Sequence, residues 1–299
     1  MSDFITELKL FSNRFNDKLP ALFEFVSGQE KRVAEAMFYS LANGGKRLRP
    51  FLVMKTAEIF GVDFEKSFIT AAALECLHTY SLIHDDLPAM DNDDLRRGKP
   101  TCHKKFDEAT AILAGDGLLT FAFDLISGEK NPLDDKIKCL LVQKLAKAAG
   151  AFGGMVAGQM LDLYMENCGS VDSPENVIRH IEEMKTGCLL KFACEAGAIL
   201  GNADEEKYQA LLLYSRKIGI AFQITDDILD VEGDEIQMGK TLGKDALQDK
   251  LTFVGLYGLD KAKQMAQQLI DEAKNVLAIF GDNAKVLCEL ADFIVSRKH

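Results

Sequence analysis

The chain has 299 residues, of which 47% are hydrophobic, and it carries a formal net charge of −11 at pH 7. This composition is sufficient for a large core, and the acidity argues against nucleic-acid binding, which depends on extended basic surface. The longest uncharged run, residues 148–161, is too short to cross a membrane as a helix.

The N-terminal residues lack the basic and apolar regions of a signal peptide. The seven cysteines, an odd number with no C-x-x-C pair, are typical of reduced core thiols. We therefore expect a cytoplasmic protein. Residues 3–18 show apolar side chains at helical spacing, and their stripe of Phe4, Leu8, Phe11 and Phe15 is expected to serve as core or as a subunit interface.

Helical spacing continues through residues 29–42, after which Gly44-Gly45 ends a helix and Pro50 is well placed to start the next. The further predicted helices are 64–86, 107–126, 133–149, 152–166, one starting at Ser173-Pro174, 205–231, 260–280 and 283–297. No stretch shows the sustained alternation of a strand. We predict an all-α protein with a single domain, residues 1–299, in which about ten helices surround a central cavity.

Charge is concentrated where the predicted helix 64–86 ends. Five aspartates, at positions 85, 86, 91, 93 and 94, are followed at once by three cations. Carboxylates so close repel one another unless water or cations screen them. Pro88 breaks the helix, which allows the chain to bend and to bring Asp91 back beside Asp85. We interpret this segment as a carboxylate site for a hard cation.

A second acidic motif, Asp226-Asp227-Ile228-Leu229-Asp230, also follows an apolar helix. Asp226 and Asp230 lie four residues apart and share a helix face. Basic residues again follow, at Lys240, Lys244 and Lys250. Oxygen ligands suit magnesium, which keeps several waters and bridges carboxylates to phosphates. The flanking cations can supply the remaining charge that a diphosphate needs.

An additional anion site is predicted upstream. Lys46 and Arg49 lie in a tight turn just ahead of a helix start, where free backbone N–H groups attract anions. His78 lies seven residues before Asp85, almost two helical turns, so both project from one face, and we interpret His78 as a diphosphate donor. Glu75 and His78 would also fit half of a di-iron carboxylate site, but no other histidine has a glutamate three residues before it.

The middle of the chain contributes three further polar candidates. Gln159 and Asp162 share a helix face, and they either orient the metal ligands or pair with each other in the core. Gly187 lies inside a predicted helix, where glycine costs about 1 kcal/mol relative to alanine. We therefore predict a local distortion that turns the Thr186 hydroxyl towards the interior of the bundle. The next helix is expected to bring Gln223 to the same cavity.

Together these motifs resemble the short-chain trans-prenyl diphosphate synthases, and most closely the bacterial-type farnesyl diphosphate synthases. The residues that carry the resemblance are Gly44 to Pro50, His78, Asp85 to Gly98, Gly158-Gln159, Lys185-Thr186-Gly187, Phe222-Gln223 and Asp226 to Asp230. The match extends from about Lys46 to Lys250. Four residues between Asp85-Asp86 and Asp91, instead of two, are the spacing of the bacterial type. The resemblance implies the isoprenoid synthase fold and a homodimer.

The resemblance also implies a reaction, which joins isopentenyl diphosphate head to tail to dimethylallyl or geranyl diphosphate and yields farnesyl diphosphate. It implies more than one Mg²⁺ ion, bound by Asp85, Asp91 and Asp226. The residues expected to bind the two substrates are Lys46, Arg49, His78, Arg96, Arg97, Lys185, Thr186, Gln223, Lys240 and Lys250. Those expected to take part in catalysis are Arg96, Lys185, Thr186 and Gln223.

Tyr80 and Ser81 lie about one helical turn before Asp85, and the resemblance implies that they limit product length. An ordinary core aromatic is the alternative for Tyr80. The chain departs from the family at Phe253 and Val254, where tyrosine and proline are common, and at Asn92, where an acidic residue is common. These changes remove no proposed ligand, but we expect them to bear on loop closure.

Three other functions fit parts of the sequence. A geranylgeranyl diphosphate synthase would share every motif and differ in product length. A non-catalytic prenyl synthase-like subunit would need a partner, and the intact aspartate motifs argue against it. A terpene cyclase would share the aspartates but handle a single diphosphate, so the second anion site at Lys46 and Arg49 argues against that function.

Overall fold

The computed structural model describes residues 2–23, 27–166, 172–232 and 251–297. Within these ranges the protein is all-α except for one short hairpin, which confirms the predicted fold class. The helices are α1 (Ser2–Lys18), α2 (Lys31–Leu41), α3 (Leu48–Glu58), α4 (Phe64–Asp85), α5 (Cys102–Lys105), α6 (Glu108–Ser127), α7 (Asp135–Ala149), α8 (Met155–Glu166), α9 (Pro174–Glu182), α10 (Cys188–Leu200), α11 (Glu205–Glu232), α12 (Phe253–Tyr257), α13 (Leu259–Val276) and α14 (Lys285–Ser296).

Shorter elements connect these helices. Two 3₁₀ segments, Leu19–Leu22 and Leu277–Ala284, follow α1 and α13. A π-helical turn, Glu183–Gly187, joins α9 to α10. The hairpin consists of β1 (Leu95–Arg96) and β2 (Lys99–Pro100), which pair in antiparallel orientation.

Local sequence signals account for most helix starts. Asp63 begins α4 by accepting a hydrogen bond from the Lys66 amide at 2.9 Å, and Asp107 caps α6 in the same way. Such caps satisfy amides that the first turn leaves unpaired. Helix α3 begins at Leu48, two residues before the predicted start at Pro50. Pro50 therefore lies in the first turn, where its missing N–H costs no hydrogen bond.

The aromatic stripe of α1 packs inside the chain's own core. Phe4 and Phe11 contact Phe51 of α3, with ring centroids 5.8 and 5.0 Å apart, and Phe15 contacts Phe68 of α4 at 5.4 Å. These side chains are buried. Of the two predicted uses, the stripe therefore serves as core, and its role as a subunit interface is wrong.

Helix α4 lies at the centre of the bundle and packs against α3, α6, α10 and α2. Its long run of small and apolar residues is buried nearly all round, as expected for a helix covered on every side. In the described part of the chain α6 is the one helix long and apolar enough to cross a membrane by length and composition, and 39% of that window is buried. The buried face of α6, which includes Ala111, Ala114 and Leu118, packs into the core.

Candidate active site

The first acidic motif bends back on itself where α4 ends. Helix α4 stops at Asp85, and the Asp91 amide then donates a hydrogen bond to the Asp85 carbonyl oxygen at 2.8 Å. Pro88 lies within this reversal. The contact confirms the predicted bend and places the two aspartates next to each other, as a shared cation would require.

The second aspartate of this motif has a different role. Asp86 is only 3% exposed, and its carboxylate accepts hydrogen bonds from Arg96, with Nε 2.7 Å from Oδ1 and Nη2 2.5 Å from the same oxygen. Arg96 belongs to β1, so the hairpin presents its guanidinium to the end of α4. Asp86 therefore positions Arg96. This role was not predicted, although a carboxylate between an apolar helix and two arginines could have suggested it.

Asp85 lies between charges of both signs. Burial is the main cause that raises the pKa of Asp85 to about 6; Lys185 and Arg96 act against this rise, and Asp91 and Asp86 add to it. A carboxylate that is difficult to ionise in the protein alone gains from a bound cation. Lys185 comes from the π-helical turn and donates to the Asp162 Oδ2 at 2.6 Å. Asp162 therefore orients Lys185, and a role for Gln159 stays a prediction.

The π-helical turn carries Lys185 and Thr186, and it brings the Lys185 charge close to Asp85. A glycine inside this helix led us to predict a distortion, and the turn Glu183–Gly187 confirms it. Helix α8 lies against the turn at Gly158, where a Cβ atom would stand 2.3 Å from the backbone nitrogen of Lys185. Only glycine permits this approach, because it has no side chain. Turns of this type are frequent at functional sites.

The second acidic motif lies inside an uninterrupted helix. Helix α11 continues to Glu232, past all three aspartates. Asp226 accepts a hydrogen bond from Arg297 at 2.8 Å, and Arg297 also donates to the Phe222 carbonyl oxygen and stacks 3.8 Å above the Phe222 ring. We did not predict a role for Arg297. Its position in a basic C-terminal segment, Ser296-Arg297-Lys298, was the signal that could have identified it.

The other polar groups of α11 have partners within the fold. Gln223 donates to Asp227 Oδ1 at 3.2 Å, and the Phe253 amide donates to Asp227 Oδ2 at 2.8 Å. The side-chain amide of Gln223 is thus held through its N–H₂ group. Phe253, one of the departures from the family pattern, is fully buried in an apolar cluster with Ile224 and Ile228.

A cluster of cations lies at the start of α3. Arg49 Nη1 is 3.3 Å from His78 Nε2, and Arg97 donates to the Gly44 carbonyl oxygen. Gly45 has a left-handed backbone, and a Cβ there would overlap the Arg97 guanidinium. The structure therefore brings Arg49, His78 and Arg97 together, as predicted for one anion site.

The electrostatics of this cluster favour an anion. Burial, followed by the nearby Arg49 and Arg97, holds the pKa of His78 well below its ordinary range. Burial and then Arg297 lower the pKa of Lys46 to about 8, while Asp226 opposes them. Positive groups that depress one another's pKa are stabilised by a bound anion. Lys46 is therefore close enough to Asp226 of the second acidic motif to be affected by its charge.

The placement of the aspartates bears on their predicted role as magnesium ligands. Among the described residues, no three His, Cys, Asp or Glu side chains lie close enough to hold a metal ion by themselves. Asp85 and Asp91 are adjacent, whereas Asp226 is paired with Arg297. This arrangement fits Mg²⁺, which usually takes one or two carboxylates together with substrate phosphates and waters. It does not fit a cage made of protein groups alone.

The residues expected to limit product length lie on α4 before Asp85. Tyr80 is 6% exposed, and burial followed by the Asp85 charge raises its pKa to about 12. Its ring packs against His84, which bonds to the Ile112 carbonyl oxygen at 3.1 Å and ties α4 to α6. Ser81 Oγ donates to the His78 carbonyl oxygen at 2.9 Å. The roles of Tyr80 and Ser81 in product length stay predictions.

Two predicted diphosphate ligands, Lys240 and Lys250, lie outside the described residues. One acidic group near the site was not predicted. Glu182 precedes the π-helical turn, and its buried Oε2 has no hydrogen-bond partner within the described ranges. Burial is the main cause that raises its pKa to about 8; Lys185 acts against this rise, and Asp227, Asp162 and Asp226 add to it.

Comparison with known proteins places this geometry in context. The family model described as polyprenyl synthetase matches residues 30–281. The chain is 45% identical to a farnesyl diphosphate synthase of Haemophilus influenzae over 300 residues, which cover all of both chains. It is 43% identical to a farnesyl diphosphate synthase of Escherichia coli, with 99% of each chain covered. A crystal structure of an FPP/GFPP synthase from Zymomonas mobilis superposes with a TM-score of 0.86 at 41% identity, covering 98% of this chain and 99% of that one.

Proposed function

Because the chain belongs to the polyprenyl synthetase family, we propose that it is a prenyltransferase that condenses isopentenyl diphosphate with dimethylallyl or geranyl diphosphate to give farnesyl diphosphate. The observation that carries the proposal is the pair of charged regions. One consists of the adjacent carboxylates Asp85 and Asp91, and the other is the cation cluster around Arg49 and His78. One region suits a metal-bound diphosphate, and the other suits a second diphosphate without a metal.

In this proposal Asp85, Asp91 and Asp226 would hold the magnesium ions. When bound, Mg²⁺ supplies Lewis-acid stabilisation of the charge that grows on the leaving diphosphate. Burial raises the pKa of Asp85, and a cation bound beside this carboxyl would favour its ionised form. The pairing of Asp226 with Arg297 means that Asp226 must exchange one cationic partner for another.

The first chemical step is cleavage of the allylic C–O bond, and its electron pair leaves with the diphosphate. We propose that Lys185 and Arg96 neutralise this growing charge, because Asp162 and Asp86 hold them in position at Asp85. Lys240 and Lys250 are proposed to assist. The allylic cation that remains is stabilised by oxygen dipoles of Thr186 and Gln223, which are too weakly nucleophilic to trap it.

In the second step the double bond of isopentenyl diphosphate attacks the allylic cation and forms the new C–C bond. We propose that Lys46, Arg49, His78 and Arg97 hold its diphosphate. A neutral His78 can accept from Arg49 at Nε2 and donate from its other ring nitrogen. The cation formed on the former isopentenyl unit then loses a proton to the departing diphosphate. Charge balance is thereby restored without a side-chain nucleophile.

Tyr80 and Ser81 are proposed to set product length. A buried aromatic beneath Asp85 supports a closed floor for the growing chain. The Zymomonas mobilis relative is described as an FPP/GFPP synthase, so proteins of this fold differ in the length of their products. A geranylgeranyl diphosphate synthase is accordingly the alternative within the same chemistry.

We also propose a single-domain, cytoplasmic homodimer without a nucleic-acid partner. One core cluster that draws residues from Phe4 to Ile294 supports the single domain. Exposed apolar side chains of α6 and α8 support a subunit interface on that side of the molecule. They include Ile112, Leu113, Val156, Met160 and Tyr164, which are 44–61% exposed. Light scattering coupled to size-exclusion chromatography would measure the mass.

The test of the function is direct. The purified protein is incubated with Mg²⁺, labelled isopentenyl diphosphate and each allylic diphosphate in turn, and the products are separated by chromatography. We expect farnesyl diphosphate from dimethylallyl and geranyl diphosphate. Geranylgeranyl diphosphate as the main product would favour the alternative, and no condensation by the protein alone would favour a non-catalytic subunit.

A further inference from the structure

Arg47 connects three helices beneath the cation cluster, although no substrate role was predicted for it. Its Nε donates to Asn16 Oδ1 of α1 at 2.9 Å, and its Nη2 donates to the Leu41 carbonyl oxygen at the end of α2 at 2.5 Å. Its Nη1 donates to Glu75 Oε1 of α4 at 2.5 Å. The side chains of Arg47 and Glu75 are 0% and 3% exposed, so the ion pair is completely buried.

Stability alone is a poor reason for this arrangement. Removing two charges from water is costly, and apolar residues of similar volume often replace a buried ion pair without loss of stability. Arg47 also adopts left-handed dihedral angles, φ 53° and ψ 36°, which are unfavourable for a residue with a Cβ. The backbone of Arg47 is strained, but its guanidinium has hydrogen-bond partners that hold it in place. This combination indicates that the protein requires the particular shape of the turn at residues 44–49.

The residues next to the pair carry the proposed anion site. Lys46 precedes Arg47 directly, and Arg49 lies two residues after it in the first turn of α3. On α4, Glu75 lies one helical turn before His78. The ion pair therefore ties together the two segments whose side chains meet at the Arg49–His78 contact.

Glu75 also places a negative charge beneath the cluster. Burial lowers the pKa of Arg49 and of Arg97, and Glu75 is the main charge that opposes this effect in both. Arg97 in turn donates to the Gly44 carbonyl oxygen of the same turn. A buried carboxylate at this position allows several cations to assemble before an anion arrives.

We propose that Arg47 and Glu75 are positioning residues that shape the binding site for the diphosphate of isopentenyl diphosphate, and that they act by fixing the turn of Lys46 and Arg49 relative to His78. The inference rests on the function proposed above. It assigns these two residues no contact with substrate and no part in ionising the allylic diphosphate.

The test separates positioning from stability. In the double variant Arg47→Met/Glu75→Leu both charges are removed together, so no unpaired charge is left buried. We expect the Michaelis constant for isopentenyl diphosphate to rise about tenfold or more, while that for geranyl diphosphate changes less than about twofold and the urea midpoint is nearly retained. Glu75→Gln, which keeps the shape and the acceptor oxygen, is expected to fold and to show a smaller rise with the same selectivity.

The matched control is Glu195→Gln. Glu195 of α10 is 6% exposed and pairs with Lys144 of α7 at 2.7 Å, away from the cation cluster. We expect both Michaelis constants of this variant to stay near those of the wild type. If Glu75→Gln changed neither constant, or raised both equally, or if the control raised the isopentenyl constant as much, the positioning role would be wrong.

A binding measurement keeps this inference separate from the proposed function. Inorganic diphosphate is titrated calorimetrically into the metal-free protein in the presence of a chelator, where the cation cluster is the expected site. We expect Glu75→Gln to weaken this binding several-fold, by the same misalignment of cations. Wild-type protein that binds diphosphate but forms no prenyl product would contradict the function alone. Equal affinity of wild type and Glu75→Gln would contradict the positioning role alone.

Discussion

The two acidic motifs differ mainly in what the helix does after the first aspartate. After Asp85 the helix stops and the chain turns back, so Asp91 comes to lie beside Asp85. After Asp226 helix α11 continues, and the next two aspartates of the motif, Asp227 and Asp230, are buried. Two similar amino-acid motifs thus produce different arrangements. The first places two aspartates side by side, and the second presents a single accessible carboxylate.

Their partners differ in the same way. The first motif faces Lys185 and Arg96, which are both held by further carboxylates. The second faces Arg297, and beyond it Lys46 and the cation cluster. In the proposed function the first region therefore suits a metal and a leaving diphosphate, whereas the second lies close to Lys46 of the proposed site for the other substrate.

Removing the first carboxylate of either motif should have the largest effect. We expect Asp85→Ala and Asp226→Ala each to reduce turnover roughly 10²- to 10⁴-fold, because each removes a metal ligand worth several kcal/mol in the transition state. Steady-state kinetics at saturating Mg²⁺ would measure this, with circular dichroism to verify folding. Asp271→Ala, at an exposed carboxylate of α13, is the control. Near-normal turnover of either site variant would show that the replaced aspartate is not a metal ligand.

The cation cluster should affect one substrate selectively. We expect Lys46→Ala or Arg49→Ala to raise the Michaelis constant for isopentenyl diphosphate about 10- to 100-fold, the cost of one or two charge-assisted hydrogen bonds. The constant for the allylic substrate should change far less. Lys285→Ala, at an exposed lysine of α14, serves as the control. An equal rise of both constants would argue against two separate anion sites.

Product length tests the region behind the first motif. Tyr80→Ala should open the floor beneath Asp85 and shift the main product from farnesyl to geranylgeranyl diphosphate or longer, because the removed ring leaves a cavity in the path of the chain. Ser81→Phe should do the opposite and favour geranyl diphosphate. Chromatography of the products formed from labelled isopentenyl diphosphate would show both shifts in product length. If Tyr80→Ala still stopped at farnesyl diphosphate, the floor would lie elsewhere.

The pH dependence of stability tests Glu182, a buried carboxyl whose pKa is affected by Asp226 and Asp227 of the second motif. Burial raises the pKa of Glu182 from an ordinary 4.5 to about 8, so the folded protein binds this proton more tightly than the unfolded chain does. The resulting stabilisation is fully present below pH 4.5 and is lost as the pH rises through 8. Glu182→Gln should therefore resemble the wild type at pH 5 and exceed its unfolding free energy by roughly 1–3 kcal/mol at pH 8.5.

Urea unfolding of the metal-free protein at both pH values would measure this difference. Glu206→Gln, at an exposed position of α11, is the matched control and should show no such crossover. A constant difference between Glu182→Gln and the wild type across this range would mean that Glu182 does not titrate there.

The smallest effect is expected at Arg297. Replacing Arg297 by Gln removes the cation that pairs with Asp226, so Mg²⁺ should bind the substrate-free protein about two- to fivefold more tightly, consistent with an ion pair worth less than about 1 kcal/mol. Isothermal titration calorimetry with Mg²⁺ would measure the change. Weaker or unchanged binding would show that Arg297 does not compete with the metal for Asp226.

Features that depend on neighbouring residues could be predicted from the amino-acid sequence. Helical periodicity predicted most helices to within a few residues, because an amphipathic or fully buried helix repeats its apolar positions locally. The bend at Pro88 and the distortion at Gly187 were predicted for the same reason, since both follow from the backbone chemistry of a single residue. The spacing of the motifs also indicated the family.

The pairing of groups that are distant in the sequence became visible only in the folded chain. Arg297 and Asp226 are 71 residues apart, and Lys185 and Asp162 are 23 apart. The stripe on α1 was compatible with core or interface until the packing of Phe51 and Phe68 against it showed core. Periodicity defines the face of a helix but not what covers that face. The partner is selected by how whole helices pack, a property of the complete chain.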